Sequence, residues 1–350
     1  MSRPGAIFLS EIRGQPQSLA RLLEHAKDYE AVGAQIARRA PGAIRLVGHG
    51  SSDAAASYGV YAFGVLAGLT AMRDSISLTV YYDASLDVSS SAVIALSQSG
   101  RTQDVVEYVA RMRSRGAYTV AVTNDARSAL ADAADVTLPL LAGPERSVAA
   151  SKTYMNQLAS LALLAGAAAG KSRKVADGLR RVTEQMAEML GPLELRAAEI
   201  APAFTYVERM FVIGRGFELA TAREVALKLT ETCRVAAEPL TATDLAHGPV
   251  AAIDALFPVW TIAAHDETLA AVLEAAERAK RAGATLVASG SAAARIPGAA
   301  FALPTPRASR PAFAPLLSVV AGQLFAAALA RAKGLDADRP EQLTKVTLAQ

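Results

Sequence analysis

The chain nearly repeats itself. Residues 43–50, Ala-Ile-Arg-Leu-Val-Gly-His-Gly, run from an apolar segment into a glycine turn, and residues 209–216, Arg-Met-Phe-Val-Ile-Gly-Arg-Gly, do the same 166 positions later. A second block recurs at that spacing. Ala92–Leu96 leads through a polar turn ending in Thr102 to a helical stretch and, past Gly116, to the apolar run 118–122. Pro258–Ile262 leads through a turn ending in Thr268 to a helical stretch and, past Gly283, to the run 285–288. One such match could be chance, but an ordered series at a near-constant offset marks a tandem duplication. Each half alternates short β-branched runs with amphipathic stretches. This predicts an α/β chain of two tandem domains, each a doubly wound parallel sheet flanked by helices. The expected division is 1–190 for an opening helix and the first domain, 191–334 for the second, and 335–350 for a C-terminal tail. A polar helix around Ala176–Arg196 is expected to join the halves.

Composition excludes several function classes. At 350 residues, 52% hydrophobic and 20% charged, the chain has ample core for two domains. A net charge of +3, with basic residues interleaved among acids, reads as solvated helix faces, so no nucleic-acid partner is expected. The single cysteine, Cys233, excludes a disulfide framework and suits a reducing cytoplasm; it reads as a small buried apolar residue. His25, His49, His247 and His265 are not spaced as a ligand set, so neither a metal nor a cofactor is implied. Met1–Gln17 has no apolar segment of the secretory kind. Phe313–Ala330 approaches membrane-spanning length, but Pro315 and Gln323 interrupt it; a buried helix at a subunit interface is expected, and no membrane partner.

In doubly wound sheets, ligands bind beyond the carboxyl ends of the strands, where helices begin. After Ala92–Leu96 the chain reads Ser97-Gln98-Ser99-Gly100-Arg101-Thr102, three hydroxyls and a glycine before a helix starting near Thr102. Unpaired N–H groups and the positive end of the helix favour an anion there, hydroxyls add neutral donors, and glycine lets backbone approach closely. A plain helix cap would account for Thr102 but leaves Ser97 and Ser99 without a role. The second half reads Ala263-Ala264-His265-Asp266-Glu267-Thr268 instead, where two carboxylates would repel a phosphate. One phosphate site per chain is therefore expected, with Ser51 and Ser52 of the turn Gly48-His49-Gly50 converging on it and His49 structural. In the second half Glu224, Lys228 and Glu231 recur at spacings of four and three and share one helix face. The apolar residues between them predict a largely buried helix, where charges need partners or a role. His247 stands in the glycine- and proline-bearing loop Asp244–Pro249.

Taken together these motifs resemble the sugar isomerase (SIS) family: Gly50-Ser51-Ser52, the Ser-Gln-Ser-Gly-x-Thr loop, and Gly143-Pro144-Glu145 followed by Val148-Ala149-Ala150-Ser151-Lys152. Glu224-x-x-x-Lys228-x-x-Glu231, His247-Gly248-Pro249, Asp338-Arg339-Pro340 and Leu343-Thr344-Lys345-Val346-Thr347 add to the likeness, as do Glu11-Ile12 and Gln15-Pro16 near the start. The nearest likeness is to the isomerase domain of the glutamine–fructose-6-phosphate aminotransferases. The resemblance implies that Ser52, Ser97, Gln98, Ser99 and Thr102 hold the phosphate and that Val148 and Ala150 line the sugar. It implies Glu231 as the group moving a proton between C1 and C2 through an enolamine, with Lys228 supporting its charge. His247 would assist ring opening, reaching into a neighbouring subunit's site, and Lys345 would form a Schiff base with the open-chain ketose. A homodimer and a small-molecule sugar phosphate substrate follow.

Three departures from that pattern redirect the expected reaction. The chain begins Met1-Ser2-Arg3, with no cysteine at position 2 to serve as the glutamine-hydrolysing nucleophile. Ala150 stands where the aminotransferases have serine, and Asp53 where they have an aromatic residue. These features are similar to stand-alone SIS-type deaminases, so D-glucosamine 6-phosphate plus water to D-fructose 6-phosphate plus ammonia is the expected reaction. A fructosamine-6-phosphate deglycase and a galactosamine-6-phosphate deaminase are the alternatives within the class, and a non-catalytic phosphosugar sensor is the alternative outside it.

Overall fold

The short apolar runs 92–96 and 258–262 each become the central strand of a parallel sheet. The computed structural model describes residues 4–345. Its first sheet contains β1 (Ala43–Val47), β2 (Ala71–Arg73), β3 (Ser91–Ser97), β4 (Tyr118–Thr123) and β5 (Val136–Pro139), all parallel, in the order β2-β1-β3-β4-β5. Every residue of β3 and β4 is buried, as a parallel strand covered on both faces requires. The second sheet contains β6 (Arg209–Gly214), β7 (Ala236–Thr241), β8 (Pro258–Ile262), β9 (Thr285–Gly290) and β10 (Phe301–Pro304), again all parallel, in the order β10-β9-β8-β6-β7. Counted from each half's first strand, both sheets have the order 2-1-3-4-5. The duplication in the sequence is thus a duplication of topology. In both sheets the chain reverses direction of winding between the first strand and the third, and the crevice at that switch point is where an open α/β sheet binds ligand.

Contacts gather the chain into two compact units that are not consecutive stretches of it. The first unit comprises Gln17–Glu145, Lys152–Arg180 and the described end of the tail, Thr344 and Lys345. The second comprises the chain up to Pro16, Arg146–Ser151 and Arg181–Leu343. A continuous helix, Ser172–Ile200, carries the chain from one to the other.

In the first unit the helices Ala26–Arg39, Ser51–Ala62 and Lys152–Ala168 lie together on one face of the sheet. Gly59 allows the close approach of the middle one: a Cβ there would stand 2.9 Å from Leu46 and 3.3 Å from Leu161. The helix Gln103–Ser114 covers the other face, setting Val105, Tyr108, Val109 and Met112 against Val93 and Ala95 of β3. In the second unit Leu269–Arg281 covers one face through Val272, Ala276 and Ala279. The helices Glu218–Cys233 and Ala314–Ala332 pack against each other, with Trp260 of β8 edge-on to Phe325 at 4.9 Å and its indole N–H bonded to Ser289 Oγ at 2.7 Å.

The apolar C-terminal stretch forms the helix Pro311–Ala332, long and apolar enough to cross a membrane, yet 89% of its apolar window is buried inside the protein. Its own unit provides that burial, so no subunit interface is needed to explain its composition. Cys233 is fully buried, with its thiol toward Ala326 O, and burial pushes that thiol up to about 11. It is a core residue and not a nucleophile.

Candidate active site

The phosphate-loop residues lie in the first unit at the carboxyl ends of β1 and β3, the two strands flanking the switch point. Thr102 is the N-cap of the helix Gln103–Ser114, but its hydroxyl makes no capping bond to that helix. Ser97 Oγ accepts the N–H of Gly100 at 3.0 Å and Ser99 Oγ accepts the N–H of Arg101 at 3.2 Å. A hydroxyl oxygen that accepts a backbone N–H keeps its own proton to give away, so these bonds aim hydroxyl donors rather than consume them. Gly100 makes the turn possible. Its φ is +63°, and a Cβ there would lie 2.0 Å from Ser128 Oγ, so any other residue would meet both strain and a clash.

The turn after β1 adds to this cradle. Gly50, with φ +57°, precedes the helix Ser51–Ala62, and Ser52 is buried in its first turn. Gln157 Nε2 donates to Ser52 Oγ at 2.9 Å, which again leaves the serine proton available. His49 Nε2 lies 2.7 Å from Asp104 Oδ2, joining this turn to the first turn of the helix Gln103–Ser114. That contact fits the structural role expected for His49. Asp53 forms a two-pronged ion pair with Arg73 of β2 at 2.8 and 2.6 Å, which ties the helix start to the sheet edge. The departure at Asp53 thus has a local structural reason.

The second unit shows what the duplicated loop became. Asp266 Oδ1 accepts both the N–H and the hydroxyl of Thr268, at 2.8 and 2.7 Å, at the start of the helix Leu269–Arg281. At the neighbouring turn Glu218 occupies the position equivalent to Ser52. It is buried, bonded to Thr221 at 2.5 Å and Ser318 at 2.8 Å. Desolvation, with a smaller contribution from Asp266, pushes its carboxyl up to about 7 against the opposing effect of those hydroxyls. Two of the protein's own carboxyl groups therefore stand at the turns where the first half carries hydroxyls. His265 lies beside Ser291 at this position.

On the helix Glu218–Cys233 the predicted row of charges is present and buried. Lys228 has no exposed side-chain area; its Nζ lies 2.5 Å from Glu231 Oε2 and 3.6 Å from Glu224 Oε1. Glu231 keeps 23% of its side chain exposed, so one end of the row reaches solvent. Removing water from three charges is costly, and a cation between two anions on successive turns offsets much of that cost while leaving one net negative charge, at the end that reaches solvent. His247 ends the short turn Asp244–His247 and is exposed. Val148 and Ala150, both half-buried, lie on a loop fixed from two sides. Glu11 accepts the N–H groups of Arg146 and Ser147 at 2.6 and 3.3 Å, while Val148 N–H donates to Asp338 O at 3.0 Å. Asp338 in turn accepts from Ile7 and Phe8 at the start of the helix Ala6–Arg13. Glu11 from the N-terminal motif and Asp338 from the C-terminal one thus both hold the 146–151 loop. Among the described residues no three His, Cys, Asp or Glu side chains gather as a metal ligand set.

The family model for the SIS domain matches residues 39–167 and 204–331, one match per half. The chain belongs to the SIS family. A glutamine–fructose-6-phosphate aminotransferase (isomerizing) from Aeropyrum pernix is 34% identical over 356 aligned positions, which take in 98% of this chain and 57% of that protein. This SIS chain therefore spans little more than half the length of that relative. Among solved structures, a candidate phosphosugar isomerase from Silicibacter pomeroyi is 32% identical with a TM-score of 0.84, covering 95% of this chain and 99% of that one. A glucosamine-6-phosphate deaminase from Thermotoga maritima, at 19% identity and a TM-score of 0.78, shares the fold across 98% of this chain and 100% of its own. The SIS chain thus has the fold of the phosphosugar isomerases and of the isomerase part of the aminotransferases.

Two groups in this SIS chain escaped the sequence reading. Glu218 was passed over although the 166-residue offset that pairs Gly50 with Gly216 also pairs Ser52 with Glu218; only its burial draws notice to it. Glu145 was noticed only as part of a motif; its buried side chain faces Lys345, at 3.3 Å from Nζ. The signal that could have found it is a glutamate followed by an apolar helix, a residue type almost never buried without a partner.

Proposed function

We propose that the chain is an amino sugar phosphate deaminase that isomerises as it deaminates: D-glucosamine 6-phosphate and water give D-fructose 6-phosphate and ammonia. The observation that carries this reading is Glu231, held by the fully buried Lys228 and still reaching solvent. A protein that only sensed a sugar phosphate would need the hydroxyl cradle and would have no use for a buried ammonium beside a half-open carboxylate. Ser52, Ser97, Gln98, Ser99 and Thr102 hold the phosphate, and Val148 and Ala150 line the sugar. His247, the exposed imidazole, assists ring opening. Glu231 removes the C2 proton and returns one to C1, so the amino aldose becomes a ketose imine at C2. Lys345 attacks C2 and displaces ammonia, and water then cleaves the lysine imine to give the ketose and the free amine.

Cys233 is itself no candidate for a glutamine-hydrolysing nucleophile, being buried with its thiol pushed up to about 11. The test is direct. Purified protein is incubated with glucosamine 6-phosphate, galactosamine 6-phosphate and a 6-phosphofructosyl-amino acid, and both ammonia and ketose phosphate are measured. Equimolar ammonia and fructose 6-phosphate from the first substrate are expected. Turnover of only the fructosyl-amino acid would make it a deglycase, and turnover of none would make it a binding protein.

A further inference from the structure

The loop that follows β5 places Glu145 beside the helix Lys152–Ala168, and its side chain has no exposed area. Oε1 accepts the Thr153 N–H at 3.1 Å and Oε2 accepts the Thr153 hydroxyl at 2.6 Å. These two bonds would suffice for a carboxylate capping the positive end of a helix. The third contact is of another kind: Lys345 Nζ lies 3.3 Å from the same Oε2. All of these residues belong to the first unit. Lys152 Nζ donates to Pro144 O at 2.6 Å, Arg21 binds the carbonyls of Leu141 and Ala142, and Glu24 and His25 line the open cleft beside Gly143 and Pro144.

We infer that Glu145 is the positioning residue for Lys345, docking its amine and taking up its proton as that amine attacks C2. The inference rests on reading Lys345 as the Schiff-base lysine. A lysine ammonium has no lone pair, and at neutral pH only about one in a thousand ordinary lysines is free amine. Contact with a buried carboxylate supplies a local acceptor. With fructose 6-phosphate, the reaction's product entering in reverse, the proton passes from Nζ to Oε2, the freed lone pair forms the N–C2 bond, and the C2=O pair moves onto oxygen, which then takes a second proton from the new N–H2+ centre to become a hydroxyl. Glu145 then returns its proton to the departing hydroxyl, so ammonium and ketone become iminium and water with nothing left over.

The experiment is borohydride trapping of Lys345 by fructose 6-phosphate, read by mass spectrometry between pH 6.5 and 9.5, with Lys345→Met as the blank. In the wild type the trapping rate is expected to change little across that range. In Glu145→Gln it should fall roughly 100-fold at pH 7 and climb close to tenfold per pH unit, the loss usual for a missing proton acceptor. Glu145→Asp should recover part of the rate, and the affinity for fructose 6-phosphate should stay within about threefold, which a merely structural defect would not allow. A wild-type profile in Glu145→Gln would overturn the role of Glu145 alone. No adduct at Lys345 in the wild type would overturn the Schiff-base reading, and this inference with it.

Discussion

Lys228 is buried between Glu224 and Glu231 on one helix face, and the three charges behave as a set. Neutralising Glu231, the member proposed to move the proton, without changing its shape is the cleanest probe. Glu231→Gln should lower turnover by about 10²–10⁴-fold, the usual range for a positioned acid–base group, while phosphosugar affinity stays within about threefold. Steady-state ammonia release and calorimetric titration with fructose 6-phosphate check the two halves of that statement. A second residue governs stability. Glu218 titrates near 7 in the folded protein because burial opposes its charge, against 4.5 when exposed. Its folded-state value is raised, so the native protein holds more protons between the two values. Stability is then fully present below about 4.5 and is lost as pH rises through about 7, by roughly 3 kcal/mol at 1.36 kcal/mol per unit. Glu218→Gln should flatten this part of the stability–pH curve and raise the melting temperature at pH 8 relative to the wild type. Differential scanning calorimetry at pH 5, 6.5 and 8 would show a parallel curve if Glu218 is not the titrating group.

The second unit's core depends on how closely two helices meet. Gly322 of the helix Ala314–Ala332 faces Val225 of the helix Glu218–Cys233, where a Cβ would stand 2.2 Å from Cγ2. Gly322→Ala should therefore push the helices apart and cost about 1–3 kcal/mol, and Val225→Ala in the same chain should recover part of it by vacating the space. Thermal melts of the single and double variants decide this, and strictly additive losses would contradict it. At this scale the sequence was legible where one element's own pattern sufficed. The strands β1, β3, β6 and β8 read as apolar runs, and the helix after Thr102 begins one residue past it. It was not legible where pairing makes the element. β2 is three residues long and mostly outside the core, and β7 reads Ala-Ala-Glu-Pro-Leu-Thr, with one buried residue; both are edge strands specified by their neighbour's hydrogen bonds. The charge row on the helix Glu218–Cys233 was readable because helical spacing fixes which residues share a face. The Glu145–Lys345 contact was not, since 200 residues separate them.

For the whole molecule, duplication with divergence explains why two sheets of one topology need not give two sites. The first half carries the hydroxyls of Ser52, Ser97, Ser99 and Thr102 at its switch point, and the second carries Glu218 and Asp266 at the equivalent turns. A phosphate brought to the second switch point would meet a carboxylate already bonded to the Thr268 N–H, with a second acidic group beside it. At 4 Å and a near-surface effective dielectric, like charges repel by about 4 kcal/mol, more than a helix N-terminus contributes. The chain should therefore bind one sugar phosphate, not two. Isothermal titration with fructose 6-phosphate is expected to give one equivalent per chain, and Ser97→Ala/Ser99→Ala should abolish that binding instead of halving it. Asp266→Ser alone should leave the stoichiometry at one, because Glu218 still occupies the neighbouring turn. Two equivalents in the wild type would mean that the second half kept its ancestral site despite its carboxylates.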